Sequence, residues 1–407
     1  MRRNAIVGQS GGPTAAINAT LAGVIKGCLE NDSIDIIYGM RHGIDGILNG
    51  NVNELNSIFE SNEALELLIQ TPAAALGSCR KKLPVKGSDD SVYERIFTFF
   101  DEHDIGYFFY IGGNDSMDTV DKLTSYAREK GIDGIHFVGV PKTIDNDLAG
   151  TDHTPGYGSA AKYIATTVAE CVRDCAVYTV PAVTIIEIMG RDAGWLTASA
   201  ALAEAVCGYG VDCIYLPETS FNDERFFADI ENAFKKHPNV VIAVSEGIRY
   251  ADGEYVGASG QSGAVDAFGH KYLSGTGKTL EHKVKDHFGC KVRSVEVNIL
   301  QRCAGHLLSK TDIDESVLTG EFAVNSAVKG QSGVMVCTVR IDGNYKLDFV
   351  CKNINEIANL IRCVPDEYIN SDNNGITEEG IRYMLPLIQG EVDITWEKGL
   401  PKHFVFN

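Results

Sequence analysis

Three times in the first 150 residues, a short run of apolar and β-branched residues breaks into a glycine or proline turn. The runs 4–9, 107–111 and 135–140 end in Ser10-Gly11-Gly12-Pro13-Thr14, in Gly112-Gly113-Asn114-Asp115-Ser116, and in Pro141-Lys142-Thr143-Ile144-Asp145-Asn146-Asp147. The first two turns lead into helical spacing at 16–29 and 117–130, and a further run at 34–38 and a helical segment at 91–102 fill the interval. Such alternation builds an α/β unit with a parallel sheet, whose strands are apolar on both faces because helices cover both sides. Ligands gather at the carboxyl ends of the strands in such sheets, and all three turns fall there. After a Gly/Pro-containing connection at 151–158 the pattern restarts, with strands expected at 183–188, 213–216 and 240–244 and helices at 159–176, 194–207 and 223–236. A helix at 280–288 and a strand at 292–299 follow. With 407 residues the chain exceeds the roughly 250–300 at which one core stops growing, so two domains are expected.

Each turn has a chemical and a plain reading. Pro141 ends its strand rigidly, and the next six residues bring an ammonium, a hydroxyl, an amide and two carboxylates together, a set suited to catalysis; the alternative is a solvated turn with an Asx hydrogen bond. Glycines at a strand end followed by a helix start form a cradle for an anion, while Asp115 or Ser116 as a simple helix cap is the alternative. Gly277-Lys278-Thr279 ends like a phosphate-binding loop, but that motif needs a glycine where Tyr272 stands, so a helix N-terminus is the better reading.

A formal charge of −19 opposes binding to nucleic acid or to an anionic membrane, which leaves small molecules as partners. Eleven cysteines without CxxC pairs and a start lacking a signal-peptide core point to a reduced, cytoplasmic protein, and Cys171 and Cys175 fit packing better than metal binding. No apolar run is long enough to cross a bilayer. The Gly-, Ser- and Ala-rich stretch 251–278 reads as a mobile surface segment.

Taken in order, Ser10-Gly11-Gly12-Pro13, the Gly112 to Ser116 turn, the Pro141 to Asp147 turn and Met189-Gly190-Arg191 resemble the phosphofructokinase family. Asp115 and Lys142, where members using ATP usually carry glycines, resemble its pyrophosphate-dependent branch. The resemblance implies two Rossmann-like three-layer domains with mainly parallel sheets. Residues 1–150 would bind the phosphoryl donor, rejoined by part of 275–330, and residues 151–274, completed by part of 331–407, would form a smaller sugar-phosphate domain. It implies a glycolytic, potentially reversible transfer from pyrophosphate to the C1 hydroxyl of fructose 6-phosphate, with Mg2+, in a homodimer or homotetramer. An ATP-dependent kinase and a non-catalytic phosphosugar sensor are the alternatives. By the same resemblance Asp145 is the base and Lys142 stabilises the transferring group, unless it merely pairs with Asp147 at the surface. Asp115 turns away the α-phosphate of ATP, and Gly11, Gly12, Arg80, Gly113, Asn114 and Ser116 meet the donor. Thr143, Ile144, Asp147, Met189, Gly190, Arg191, Glu246, Gln301 and Arg302 meet the sugar, with Arg302 on its phosphate. Asn114 or Asp115 approaches magnesium, although the family more often has Asp at the Asn114 position. Ala182 is a second departure, since many relatives carry there a basic residue that reaches the neighbouring subunit's sugar phosphate.

Overall fold

The computed structural model describes residues 2–85, 87–258, 275–341 and 345–406. Its strands are β1 Arg3–Gln9, β2 Ile34–Met40, β3 Val52–Glu54, β4 Ile105–Gly112, β5 His136–Pro141, β6 Ala182–Ile188, β7 Cys213–Tyr215, β8 Asn239–Ser245, β9 Lys291–Glu296, β10 Val334–Ile341, β11 Lys346–Asn353, β12 Trp396–Glu397 and β13 Leu400–Pro401. Its helices are α1 Ile17–Leu29, α2 Ile44–Leu48, α3 Asn62–Gln70, α4 Ser91–Glu102, α5 Asn114–Lys130, α6 Tyr157–Cys175, α7 Trp195–Ala198, α8 Leu202–Cys207, α9 Asp223–Phe234, α10 Thr276–Phe288, α11 Lys310–Val328 and α12 Glu378–Met384. Two sheets organise most of them, and β12 and β13 pair only with each other. The larger runs β11-β10-β5-β4-β1-β2-β3, parallel from β10 through β2 with an antiparallel strand at each edge, and the smaller runs β7-β8-β6-β9, parallel throughout.

Alternation along the strands divides each core in two. Phe108 and Tyr110 of β4 face one cluster with residues of α4 and α5, whereas Tyr107, Phe109 and Ile111 face another with residues of α1 and α11. In β6, Ile186 and Ile188 pack towards α6 and α7, and Val183 and Ile185 towards α9 and α10. Both units are therefore three-layered. Strands β10 and β11 extend the larger sheet and β9 the smaller, so each sheet is completed by chain that returns late. Helices α1 and α11 cross closely enough that a Cβ on Gly23 would lie 2.1 Å from the carbonyl oxygen of Val317.

Several elements depart from the expected pattern. The helix expected at 194–207 is broken into α7, a 3-10 turn at Ser199–Ala201 and α8. The strand expected at 292–299 stops at Glu296 and becomes a 3-10 turn at Asn298–Arg302, entered through Asn298 with φ 46°. The Gly277-Lys278 turn starts α10, as expected, and its Gly277 N–H is taken by the Glu187 carboxylate at 2.6 Å. Most of the 251–278 stretch expected to be mobile, namely 259–274, lies outside the described residues.

Between β5 and α6 the chain passes from one unit to the other through a buried polar connection. His153, 3% exposed, is held between Asp152 at 2.9 Å and Glu315 of α11 at 2.8 Å, while Arg340 of β10 contacts Asp152 and the Tyr345 hydroxyl donates to Glu315. These carboxylates outweigh the burial penalty and raise the histidine to about 9.

Candidate active site

The carboxyl ends of the two sheets face each other across a cleft of about 440 Å³. On the side of the larger sheet, β1 runs out into Gly11, whose φ of 77° suits glycine. The Gly11 N–H donates to the Cys79 carbonyl and its carbonyl accepts from the Ser78 hydroxyl, which brings Arg80 to the cleft wall beside Gly12. Next to them β4 ends at Gly112, and Gly113 caps α5 through its backbone, without a side-chain cap from Asp115 or Ser116. Ser116 is buried at the cleft wall. Asp115 forms an ion pair with Lys82 at 3.0 Å.

The turn after β5 occupies the floor. Lys142 is not at the surface: it is 2% exposed, and its ammonium donates to the Gly12 carbonyl at 2.6 Å instead of pairing with Asp147. Burial lowers it to about 8, against the opposing pull of Asp145 and Asp147. The Thr143 hydroxyl lies 3.3 Å from the Asp145 carboxylate and accepts the Asp145 N–H, so it orients this carboxylate. Burial pushes Asp145 up from the usual carboxylate range; it pushes Asp147 to about 7, with the Asp145 charge as second cause. Ile144 lines the same floor.

The opposite wall comes from the smaller sheet. β6 runs out into Met189, Gly190 and Arg191, and β8 into Glu246. Gly190 has φ 144° and its N–H donates to Glu246 Oε1 at 3.3 Å, while Ser245 Oγ donates to its carbonyl. Glu246 is raised to about 7, by burial first and by Asp145 second. Arg191 and Arg302 reach the cleft, Arg302 lying against Gly12 and next to Arg80, between the two walls. Gly190 and Gln301 do not line the cleft: Gln301 is buried and accepts the Met189 N–H at 3.3 Å, so it supports the wall from behind.

The Asn114 amide donates to Asp147 Oδ2 at 3.4 Å, and its own Oδ1 is buried without a hydrogen-bond partner. An orphaned amide oxygen beside Asp115 and Asp147 suits a hard cation that takes oxygen ligands and keeps several waters. Among the described residues no group of three or more His, Cys, Asp or Glu forms a ready-made metal cage.

Pro13, from the first turn, also lines the cleft, as do Lys82, Asp192, Ala193, Asn359 and Ile361, which were not found by reasoning from sequence. Lys82 lies two residues beyond Arg80, and Asp192 and Ala193 directly follow Arg191, so proximity to a motif was the available signal. Asn359 and Ile361 carried none. Ala182 begins β6, at the end away from Met189, paired in register with Lys291 of β9.

Residues 4–355 match the family model described as Phosphofructokinase. The chain is 42% identical to the pyrophosphate--fructose 6-phosphate 1-phosphotransferase of Halomonas elongata over 98% of this chain and 95% of that one, and 40% identical to the protein of the same name from Methylococcus capsulatus over the same shares. The crystal structure of a pyrophosphate-dependent phosphofructokinase from Nitrosospira multiformis superimposes with a TM-score of 0.89 at 36% identity, covering 99% of this chain and 96% of that one. No helix among the described residues is long and apolar enough to cross a membrane.

Proposed function

The chain belongs to the phosphofructokinase family, and on that premise we propose how its cleft divides the work of phosphoryl transfer. The protein is a phosphotransferase that moves a phosphoryl group from pyrophosphate to the C1 hydroxyl of fructose 6-phosphate, giving fructose 1,6-bisphosphate and phosphate. The assignment of roles rests chiefly on Lys142: its buried ammonium is anchored on the Gly11-Gly12 turn while Asp145 stands on the same floor, facing the wall that carries Arg191 and Glu246.

In this reading the larger unit holds pyrophosphate, through Gly11, Gly12, Gly113, Ser116 and Arg80, and the smaller one holds the sugar, through Met189, Arg191, Glu246 and Arg302. Asp145 takes the proton of the C1 hydroxyl, with Thr143 fixing its orientation, and Asp147 and Glu246 complete the acceptors around the sugar. Lys142 supplies a positive charge where negative charge moves from sugar oxygen to departing phosphate, and its own burial strengthens that charge's effect. Asp115 repels the α-phosphate of a nucleotide, which pyrophosphate lacks. Asn114 Oδ1 and Asp115 would hold Mg2+, whose chemistry there is to neutralise and orient the phosphate oxygens.

We place the protein in the cytoplasm, in line with its eleven free thiols, and read it as a homodimer or homotetramer. Lys291, beside Ala182 and near the exposed Tyr178 and Val180, would then serve the neighbouring subunit's sugar phosphate. A monomer in sedimentation equilibrium would remove that role. For the reaction itself, purified protein supplied with fructose 6-phosphate should form the bisphosphate with pyrophosphate and Mg2+, not with ATP. Product from ATP alone would overturn the donor assignment, and product from neither would overturn the enzyme.

A further inference from the structure

Past residue 355, where the family match ends, the chain returns to the cleft as a short strap. Asn359 and Ile361 line the cleft, Ile361 forms an antiparallel bridge with Leu148, and the Arg362 N–H donates to the Asp147 carbonyl at 2.8 Å. The Arg362 carbonyl accepts from Trp195 Nε1 at 2.9 Å. Its guanidinium lies over the Trp195 ring at 4.3 Å and donates to the Tyr383 hydroxyl from both terminal nitrogens, at 3.2 and 3.3 Å. The same hydroxyl accepts from Asn146 Nδ2 at 3.0 Å and donates to the Asp152 carbonyl at 2.7 Å.

Asn146 separates the two cleft carboxylates and adopts a left-handed backbone, φ 54°, with its Oδ1 accepting the Thr154 N–H. Asparagine enters that conformation more readily than most residues, and the contacts around Asn146 then hold it there. Position 362 braces the turn from two sides, through its backbone N–H on the Asp147 carbonyl and through the guanidinium, which holds the Tyr383 hydroxyl that accepts from the Asn146 amide. Trp195 lies just beyond Met189-Gly190-Arg191, and Glu218 Oε1 accepts from both Gly194 and Val364 N–H at 2.8 Å, so one strap binds the turn of the larger unit to the sugar-side wall of the smaller.

We propose that Arg362 is a positioning residue for phosphoryl transfer, locking the Asp145-Asn146-Asp147 turn so that the Asp145 carboxylate points at the sugar hydroxyl. This rests on the reading of Asp145 as base. The guanidinium touches no substrate in this assignment, so its loss appears in kcat and not in binding.

The test compares wild type, Arg362→Ala and Tyr383→Phe by steady-state kinetics with pyrophosphate and fructose 6-phosphate, calorimetry with fructose 6-phosphate, and amide hydrogen exchange of peptides spanning the Asp145 turn. Both variants should lose about 10- to 100-fold in kcat, with KM and the sugar dissociation constant within about threefold of wild type and exchange faster at the turn. Millimolar methylguanidinium should restore part of the kcat of Arg362→Ala and none of Tyr383→Phe. Wild-type kcat in either folded variant, or a loss carried entirely by KM for the sugar, would overturn the proposal. If Arg362→Ala does not fold, Tyr383→Phe, which deletes one hydroxyl, decides. Should wild type itself form no bisphosphate, the proposed reaction fails, and the exchange measurement still decides whether the clamp exists.

Discussion

Lys142 carries its charge in a place where charge is costly, and that cost makes it titrate near neutrality. In its proposed role the ammonium stabilises the transfer only when protonated, and burial brings it down to about 8, so kcat/KM should fall as pH rises through that value. Lys142→Met should be slow and should lack this limb; a pH profile with an unchanged limb in that variant assigns it elsewhere. Asp145→Asn keeps the shape of the turn and removes the proposed base. It should lower kcat on the order of 10²- to 10⁴-fold while calorimetry finds fructose 6-phosphate still bound. The residue types at these positions were legible in the sequence because several reactive groups sat at one strand end. Their environment was not: the Gly12 carbonyl that buries Lys142 lies 130 residues earlier in the chain, and no local pattern announces it. Asn114 shows the same limit, since only the fold leaves its oxygen buried and unpartnered.

At the scale of elements, runs with a clear period were readable and short or interrupted ones were not. β4 and β5 are apolar on both faces and stand where the sequence puts them, whereas α2, β3 and α3 were missed, and α7 and α8 read as one helix because the 3-10 turn between them keeps the same apolar face. The strap through Arg362 has no periodic signal, since its meaning lies in where it lands. The crossing of α1 on α11 was equally invisible, because it depends on glycines meeting backbone from the far end of the chain. Gly23→Ala should force the Val317 carbonyl aside and destabilise the fold by about 1–3 kcal/mol, read as a lower denaturant midpoint with KM unchanged. An unshifted midpoint would mean that the two helices part freely.

Across the whole molecule, the His153 cluster ties the crossing segment to α11 and β10, and its charge makes stability depend on pH. The folded histidine is raised to about 9 from an ordinary 6.5, so it binds a proton in the folded state that the unfolded chain gives up over that interval. Its contribution is therefore fully present below about 6.5 and disappears as pH rises through about 9. Chemical denaturation at both ends of that window should show wild type losing more stability than His153→Gln; equal losses would assign the dependence to other groups. The late completion of the larger sheet has a consequence for how the protein is made. β5 leaves the ribosome long before β10, its neighbour at Val138 and Gly139. At roughly 5–20 residues per second, an apolar strand edge stands uncovered for on the order of 10–40 s. During synthesis, then, the strand that leads into Lys142 and Asp145 keeps one edge open to other chains until β10 arrives.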